Sequence, residues 1–227
     1  MSSLKKIKKY LPFKSLLDGF YRKLEFIFLN KTALNPHEIK DFEFWNYLGK
    51  LLISIKPEAI LELGAGKSSL LLSDYAFKRE NIIYESVEQN IFYVRKLKKA
   101  LNNSFLASHY IKYVPLVNGW YDISKIKDIN YDFIFVDGPT AGILNKNPRS
   151  NQIAVNFLKR YIDNCKFIIF DDVQRQSELE LVQNLQIDED IFEFIDINCY
   201  KYYPDTRLRI YYKPEYREII MHDALVR

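Results

Sequence analysis

Four places in the chain hold residues able to do chemistry: Glu62-Leu63-Gly64-Ala65-Gly66, Glu88, Asp137-Gly138-Pro139-Thr140 and Asp171-Asp172-Val173-Gln174-Arg175. A glycine turn between an apolar run and a helix lets a ligand come close to the backbone, because glycine has no Cβ to intrude. Carboxylates at the ends of apolar runs hold cations, take protons from hydroxyls, or cap the turn that follows. For one aspartate alone, capping is the better reading. For Asp137, Asp171 and Asp172 together, beside a ligand-binding turn, function is.

The elements that must position these residues follow from periodicity. Ala59–Leu63 is a short apolar strand, and Ser68–Phe77 after the glycine turn is a helix. Strand Asn81–Glu88, helix Ile91–Leu101 and strand Tyr110–Val117 come next. Tyr131–Asp137 is nearly all apolar, as a strand buried on both faces must be. Helix Gln152–Ile162, strand Cys165–Phe170 and helix Ser177–Leu185 follow, and Phe192–Cys199 and Arg207–Lys213 form a closing antiparallel pair. Alternating strands and helices predict an α/β domain with a mainly parallel sheet and helices on both faces. In such a sheet the carboxyl ends of the strands share one rim, where ligands bind. Glu62, Glu88, Asp137, Asp171 and Asp172 are all expected there.

The glycine turn admits three readings. A phosphate-binding P-loop is suggested by Gly66-Lys67-Ser68, but it needs a glycine five residues before Gly66, where Leu61 stands mid-strand. A dinucleotide fingerprint finds two glycines in Gly64 and Gly66 and Ser69 at the third position. Glu88 suits that reading as well as the next. Third, the acidic residue followed by Gly-x-Gly (Glu62, Gly64, Gly66) resembles motif I of class I S-adenosylmethionine-dependent methyltransferases, with Ser68 in place of a frequent third glycine.

That resemblance implies a Rossmann-like methyltransferase fold, with a mainly parallel seven-stranded sheet and here an N-terminal helical extension. It implies that Gly64, Gly66 and Ser68 line the cofactor, Glu62 orders its ammonium group and Glu88 accepts its ribose hydroxyls. Val136-Asp137-Gly138-Pro139 and Phe170-Asp171-Asp172-Val173-Gln174-Arg175 are similar to the rim motifs of cation-dependent O-methyltransferases and of glycan methyltransferases. They imply an enzyme methylating a sugar hydroxyl of a glycan, as in polysaccharide biosynthesis. Asp137 also borders the cofactor in this reading. The resemblance spans roughly residues 57–212. Methyl transfer from a sulfonium is an in-line displacement, so alignment is the main task. A sugar hydroxyl must also lose its proton as it attacks. The expectation is that Asp137, Asp171 and Asp172 bind Mg²⁺ or Mn²⁺, which suit oxygen ligands, or that one of them is the base.

The formal charge of +4 is uneven. Residues 1–31 carry eight Lys or Arg against two Asp or Glu, a local charge of +6, so the remainder sums to −2. A near-neutral body argues against a nucleic-acid surface. Leu17, Phe20, Tyr21, Leu24 and Phe28 recur at helical spacing among those lysines. That amphipathic arm suits packing on the domain or contact with a membrane surface or partner. Residues 38–55 read as a further helix, and the division expected is a helical arm over 1–56 and a cofactor-binding domain over 57–227. No run reaches the roughly 18 apolar residues of a membrane span, and no secretory signal is evident. A cytoplasmic enzyme, peripheral to the inner face of the membrane, is expected.

Cys165 and Cys199 read as buried reduced thiols, and the cysteines and histidines lack metal-ligand spacing. His109 falls at the wrong strand end for the active rim. Asn145, Lys146, Asn147 and Arg149 suit a hydroxyl-rich or anionic acceptor or a solvated loop. Trp120 and Tyr121 suit core packing or stacking on a sugar or adenine. Among rival functions, an amino-methylating nucleic-acid enzyme would carry an aromatic after the fourth strand to hold a flipped base, where Thr140 stands. Methylation of a small molecule and ligand binding without catalysis on a Rossmann-like fold are also compatible with these residues.

Overall fold

A computed structural model describes residues 47–79, 81–103, 108–139, 151–197 and 208–223. The arm over residues 4–29, Thr140, the polar loop residues 141–150 and Cys199 lie outside the described residues. The strands are β1 (Ala59–Leu63), β2 (Ile83–Glu88), β3 (Ile111–Tyr113), β4 (Leu116–Val117), β5 (Trp120–Tyr121), β6 (Phe133–Val136), β7 (Phe167–Phe170), β8 (Glu193–Ile197) and β9 (Leu208–Tyr212). All but β4 and β5 join one seven-stranded sheet, in the order β3-β2-β1-β6-β7-β9-β8. The first five in spatial order are parallel, and β9 runs antiparallel between β7 and β8. This is the expected Rossmann-like α/β architecture.

Alternation along the strands divides the core in two. Phe133, Phe135, Phe167 and Ile169 face one side, with residues 47–55 (α1), Ser68–Phe77 (α2) and Ile91–Asn103 (α3) packed over them. Ile134, Val136, Ile168 and Phe170 face the other, covered by Gln152–Ile162 (α4) and Gln176–Leu185 (α5). Every residue of β1, β6 and β7 is buried, which is why these strands read as apolar runs broken only by Glu62. Tyr47, Leu48, Leu51 and Leu52 of α1 belong to the first core, so the described end of the region assigned to the arm is part of the domain's packing.

The third predicted strand divides. β3 stops at Tyr113, and β4 pairs with β5 in a separate hairpin. Pro115 follows a ladder that ends with Val114 donating to the Glu88 carbonyl. Asn118 and Gly119 both take positive φ, 52° and 82°, the backbone a tight hairpin turn requires. The chain winds outward from β1 through β2 to β3, then returns to pair β6 on the opposite side of β1. The carboxyl ends of β1 and β6 therefore flank the point where strand order reverses, where sheets of this kind open a ligand crevice.

Candidate functional site

Backbone bonding sets the expected residues along one rim. The Gly64 and Ala65 amides donate to Val87 in β2, Asp137 donates to Leu63 in β1, and Asp171 donates to Val136 in β6. Glu88, Gly64, Asp137 and Asp171 thus leave four adjacent strands at one level, as the sequence led us to expect.

Glu62 is fully buried on the α2 face of β1. Parallel register places Ser86 directly opposite it, and α2 lays Ser69 across the same face. Three hydroxyls donate to its Oε2: Ser69 at 2.6 Å, Tyr84 at 2.7 Å, and Ser86. Its Oε1 is buried and accepts no hydrogen bond from the described residues. Burial pushes the Glu62 carboxyl up from its ordinary value near 4.5, and the hydroxyls of Ser68, Ser69, Ser86 and Tyr84 oppose that rise. The Ser69 hydroxyl also accepts from the Gly66 amide at 3.0 Å, tying the turn to the carboxylate.

The two glycines have different tasks. Gly64 has φ +98°, and a Cβ there would lie 2.5 Å from the Gly138 nitrogen and 2.6 Å from the Asp137 carbonyl carbon. Its missing side chain makes room for the β6 exit. A Cβ on Gly138 would in turn lie 2.3 Å from the Tyr121 hydroxyl and 2.6 Å from Gly64 Cα. At Gly66 a Cβ would meet only Ser68 Oγ at 3.8 Å and Asp137 Oδ2 at 4.0 Å. Among the described residues a side chain at Gly66 would make only ordinary contact with Ser68 and the Asp137 carboxylate, while Gly64 is held by protein packing.

Glu88 is buried at the end of β2, and its Oε1 accepts from the Asn90 amide at 2.7 Å. Burial first, then the charge of Glu62, raises its carboxyl. Asn90 caps α3 through the amides of Phe92 and Tyr93. Sequence reasoning missed Tyr93. Burial, then the charges of Glu88, Asp137 and Glu62, raises its phenol, so it shares the field of all three acids. It missed Ser69, Tyr84 and Ser86 as well. For these three the signal was present, since a buried acid in a strand needs hydroxyl donors from the facing elements.

The three rim aspartates do not gather. Among the described residues no group of three or more His, Cys, Asp or Glu is placed to hold a metal ion. Asp172 has φ +59°, and its carboxylate pairs with Arg175 at 2.7 Å and accepts from Gln174 at 3.1 Å. Asp171 Oδ1 accepts from the Asp172 amide at 2.8 Å. Asp172 therefore braces the corner after β7, and the expected metal ligands, Asp137, Asp171 and Asp172, form no such group among the described residues.

Trp120 and Tyr121 are buried, with Trp120 packed against Tyr121 and Phe157, so the core reading holds for both. Cys165 is a buried free thiol donating to the Tyr131 carbonyl. His109 lies beside Tyr110, before β3 and away from the rim. No described helix is long and apolar enough to cross a membrane.

No protein-family model matches this chain, and no curated protein matches it. Solved structures do. Cofactor-bound Rv0187 from MTB superposes with a TM-score of 0.52 at 11% identity, covering 92% of this chain and 95% of that one. A candidate O-methyltransferase from Klebsiella pneumoniae gives 0.51 at 13% identity, over 92% and 94%. The methyltransferase PaMTH1 from Podospora anserina, bound to SAH, gives 0.50 at 14% identity, over 93% and 96%. At these identities the likeness is one of fold, and the chain shares the Rossmann-like α/β fold of these three structures.

Proposed function

We propose that this chain is an S-adenosylmethionine-dependent O-methyltransferase acting on a sugar hydroxyl of a glycan or polysaccharide precursor. The observation that carries the reading is Glu62, a buried carboxylate with one oxygen saturated by hydroxyls and the other without a donor among the described residues. It lies beside a glycine turn and one strand from Glu88. Those residues fit the cofactor. Glu62 Oε1 accepts from its ammonium, directly or through a water, and Glu88 takes the ribose hydroxyls. Gly66 and Ser68 leave room for its amino-acid portion.

When bound, the cofactor supplies an electrophilic methyl on a sulfonium. Glu62, Glu88 and Asp137 surround the site with negative charge, which favours a cationic ligand over the less positive product. Asp137, beside Gly66 on the rim, takes the proton of the attacking hydroxyl. No step is routed through a metal, since no metal-holding group of acids forms among the described residues. The sugar acceptor rests on the likeness of the Asp137 and Asp171–Arg175 motifs to those of glycan methyltransferases. Methylation of a nucleic acid or another small molecule is the competing outcome. We further place the enzyme in the cytoplasm, with basic residues 1–31 at the membrane surface. Liposome binding that survives deletion of 1–31 would remove that part.

The test is transfer of labelled methyl to a panel of sugars and oligosaccharides. Asp137→Asn should lower kcat by roughly 10²–10⁴-fold while leaving S-adenosylhomocysteine affinity within about twofold. Unchanged turnover in that variant would refute the role of Asp137. Transfer to nucleic acid and not to sugars would refute the acceptor class.

A further inference from the structure

We propose that Tyr84, Ser69 and Ser86 are positioning residues for cofactor binding, which hold Glu62 as an ionised acceptor by converging on one of its oxygens and leaving the other for the cofactor's ammonium. The inference rests on the function proposed above and deepens it.

The geometry is unusual for a buried carboxylate. Four acceptor sites on two oxygens are ordinarily shared among donors from several directions. Here three donors crowd Oε2, the buried Oε1 receives no hydrogen bond from the described residues, and the nearby Ser68 hydroxyl also favours the charged form. The donors come from two elements: Tyr84 and Ser86 from β2, and Ser69 from α2. Their hydroxyls can all donate to a carboxylate at once, whereas a protonated carboxyl would give up an acceptor position. The cluster therefore selects the charged form. It also fixes the side-chain torsion, since rotating the carboxylate would break three contacts together. Ser69 and Ser86 lie 3.4 Å apart, so each also limits the other.

Other ionisable groups work against that charged form. Burial opposes it, and so does Glu88 at the end of β2, whose carboxyl Glu62 raises. Tyr93 of α3 shares the field of Glu62, Glu88 and Asp137. Tyr84 itself is pushed well above the ordinary phenol range, by burial and then by Glu62, so it stays a donor. Removing one hydroxyl should tip Glu62 toward its neutral acid, which binds an ammonium poorly. Raising the pH should then restore the charge and the affinity. A residue that only supported packing would weaken binding equally at every pH.

The experiment is calorimetric titration of the full-length protein with S-adenosylhomocysteine, which retains the ammonium group, from about pH 5 to about pH 9. Wild type, Tyr84→Phe, Ser86→Ala and Glu62→Gln are compared. Loss of one hydroxyl donor should move the affinity-versus-pH midpoint up by about one unit. Tyr84→Phe and Ser86→Ala should bind about tenfold more weakly at the acid end and within about twofold of wild type at the alkaline end. Glu62→Gln should be weak throughout, without that dependence. Profiles for the hydroxyl variants parallel to wild type would overturn the positioning role while leaving the methyltransferase reading intact. No binding by wild type would overturn both. Tyr84→Phe keeps the ring that packs against Tyr110, and Ser86→Ala removes a single oxygen, so one variant reports if the other fails to fold.

Discussion

Replacing the two motif glycines one at a time separates a glycine required by the fold from one required by the ligand. In Gly64→Ala a methyl enters at φ +98° and lies 2.5–2.8 Å from the Asp137–Gly138 backbone, which has no flexible end to move aside. Positive φ at a non-glycine residue costs about 1–3 kcal/mol. Overpacking against rigid neighbours costs a similar ~1–3 kcal/mol. The expected loss is about 3–5 kcal/mol, which lowers Tm by roughly 10 °C in a chain of this size. In Gly66→Ala the methyl has no neighbour among the described residues closer than 3.8 Å and meets no positive-φ penalty. Stability should stay within about 1 kcal/mol of wild type, since alanine also restricts the unfolded chain. The same methyl occupies space assigned to the cofactor, so S-adenosylhomocysteine should bind at least about tenfold more weakly, the equivalent of ~1.4 kcal/mol. Urea denaturation and calorimetry on both variants provide the measurements. A stable Gly64→Ala, or a Gly66→Ala that loses stability and keeps its affinity, would refute the division of roles.

Further outcomes follow from the same site. Glu62 and Glu88 have raised folded-state pKa values, so their contribution to stability is present below the unfolded value near 4.5 and is lost as pH rises through the folded values. Ligand-free protein should therefore lose part of its stability as pH climbs above about 4.5, and Glu62→Gln should flatten that decline in urea titrations. Partly exposed Asp122 and Glu193, held low by hydrogen bonds from Ser124 and Arg217, act with the opposite sign and are screened by solvent. Asp172→Asn loses the Arg175 ion pair but tolerates positive φ. It should cost about 1 kcal/mol or less and leave turnover within a few-fold of wild type. Abolished turnover with stability unchanged would return Asp172 to the active site.

What was readable in the chain depended on whether the cause was local. β1, β6 and β7 announced themselves because burial on both faces leaves no polar position in the strand body except Glu62. The breadth of the third strand was misread, although Pro115 and Asn118-Gly119 carried the turn signal within the same run. The reason for Gly64 was not readable, because its neighbours are Asp137 and Gly138, more than seventy positions away and adjacent only through strand pairing. The partner of Asp172 was open to reading. Asp172 and Arg175 stand three apart, close enough in sequence to predict the ion pair that occupies the carboxylate. Tyr84, Ser86 and Ser69 became visible as a group only once register and the lie of α2 set all three hydroxyls on one oxygen.

The central claim is that the rim from Glu62 to Glu88 holds S-adenosylmethionine, and the most direct measurement is calorimetric titration of wild type and Glu88→Ala with S-adenosylhomocysteine. Saturable one-to-one binding by wild type, weakened about 10–100-fold when the ribose acceptor is removed without loss of folded stability, is the predicted result. No binding by folded wild-type protein, or equal binding by the variant, would contradict it.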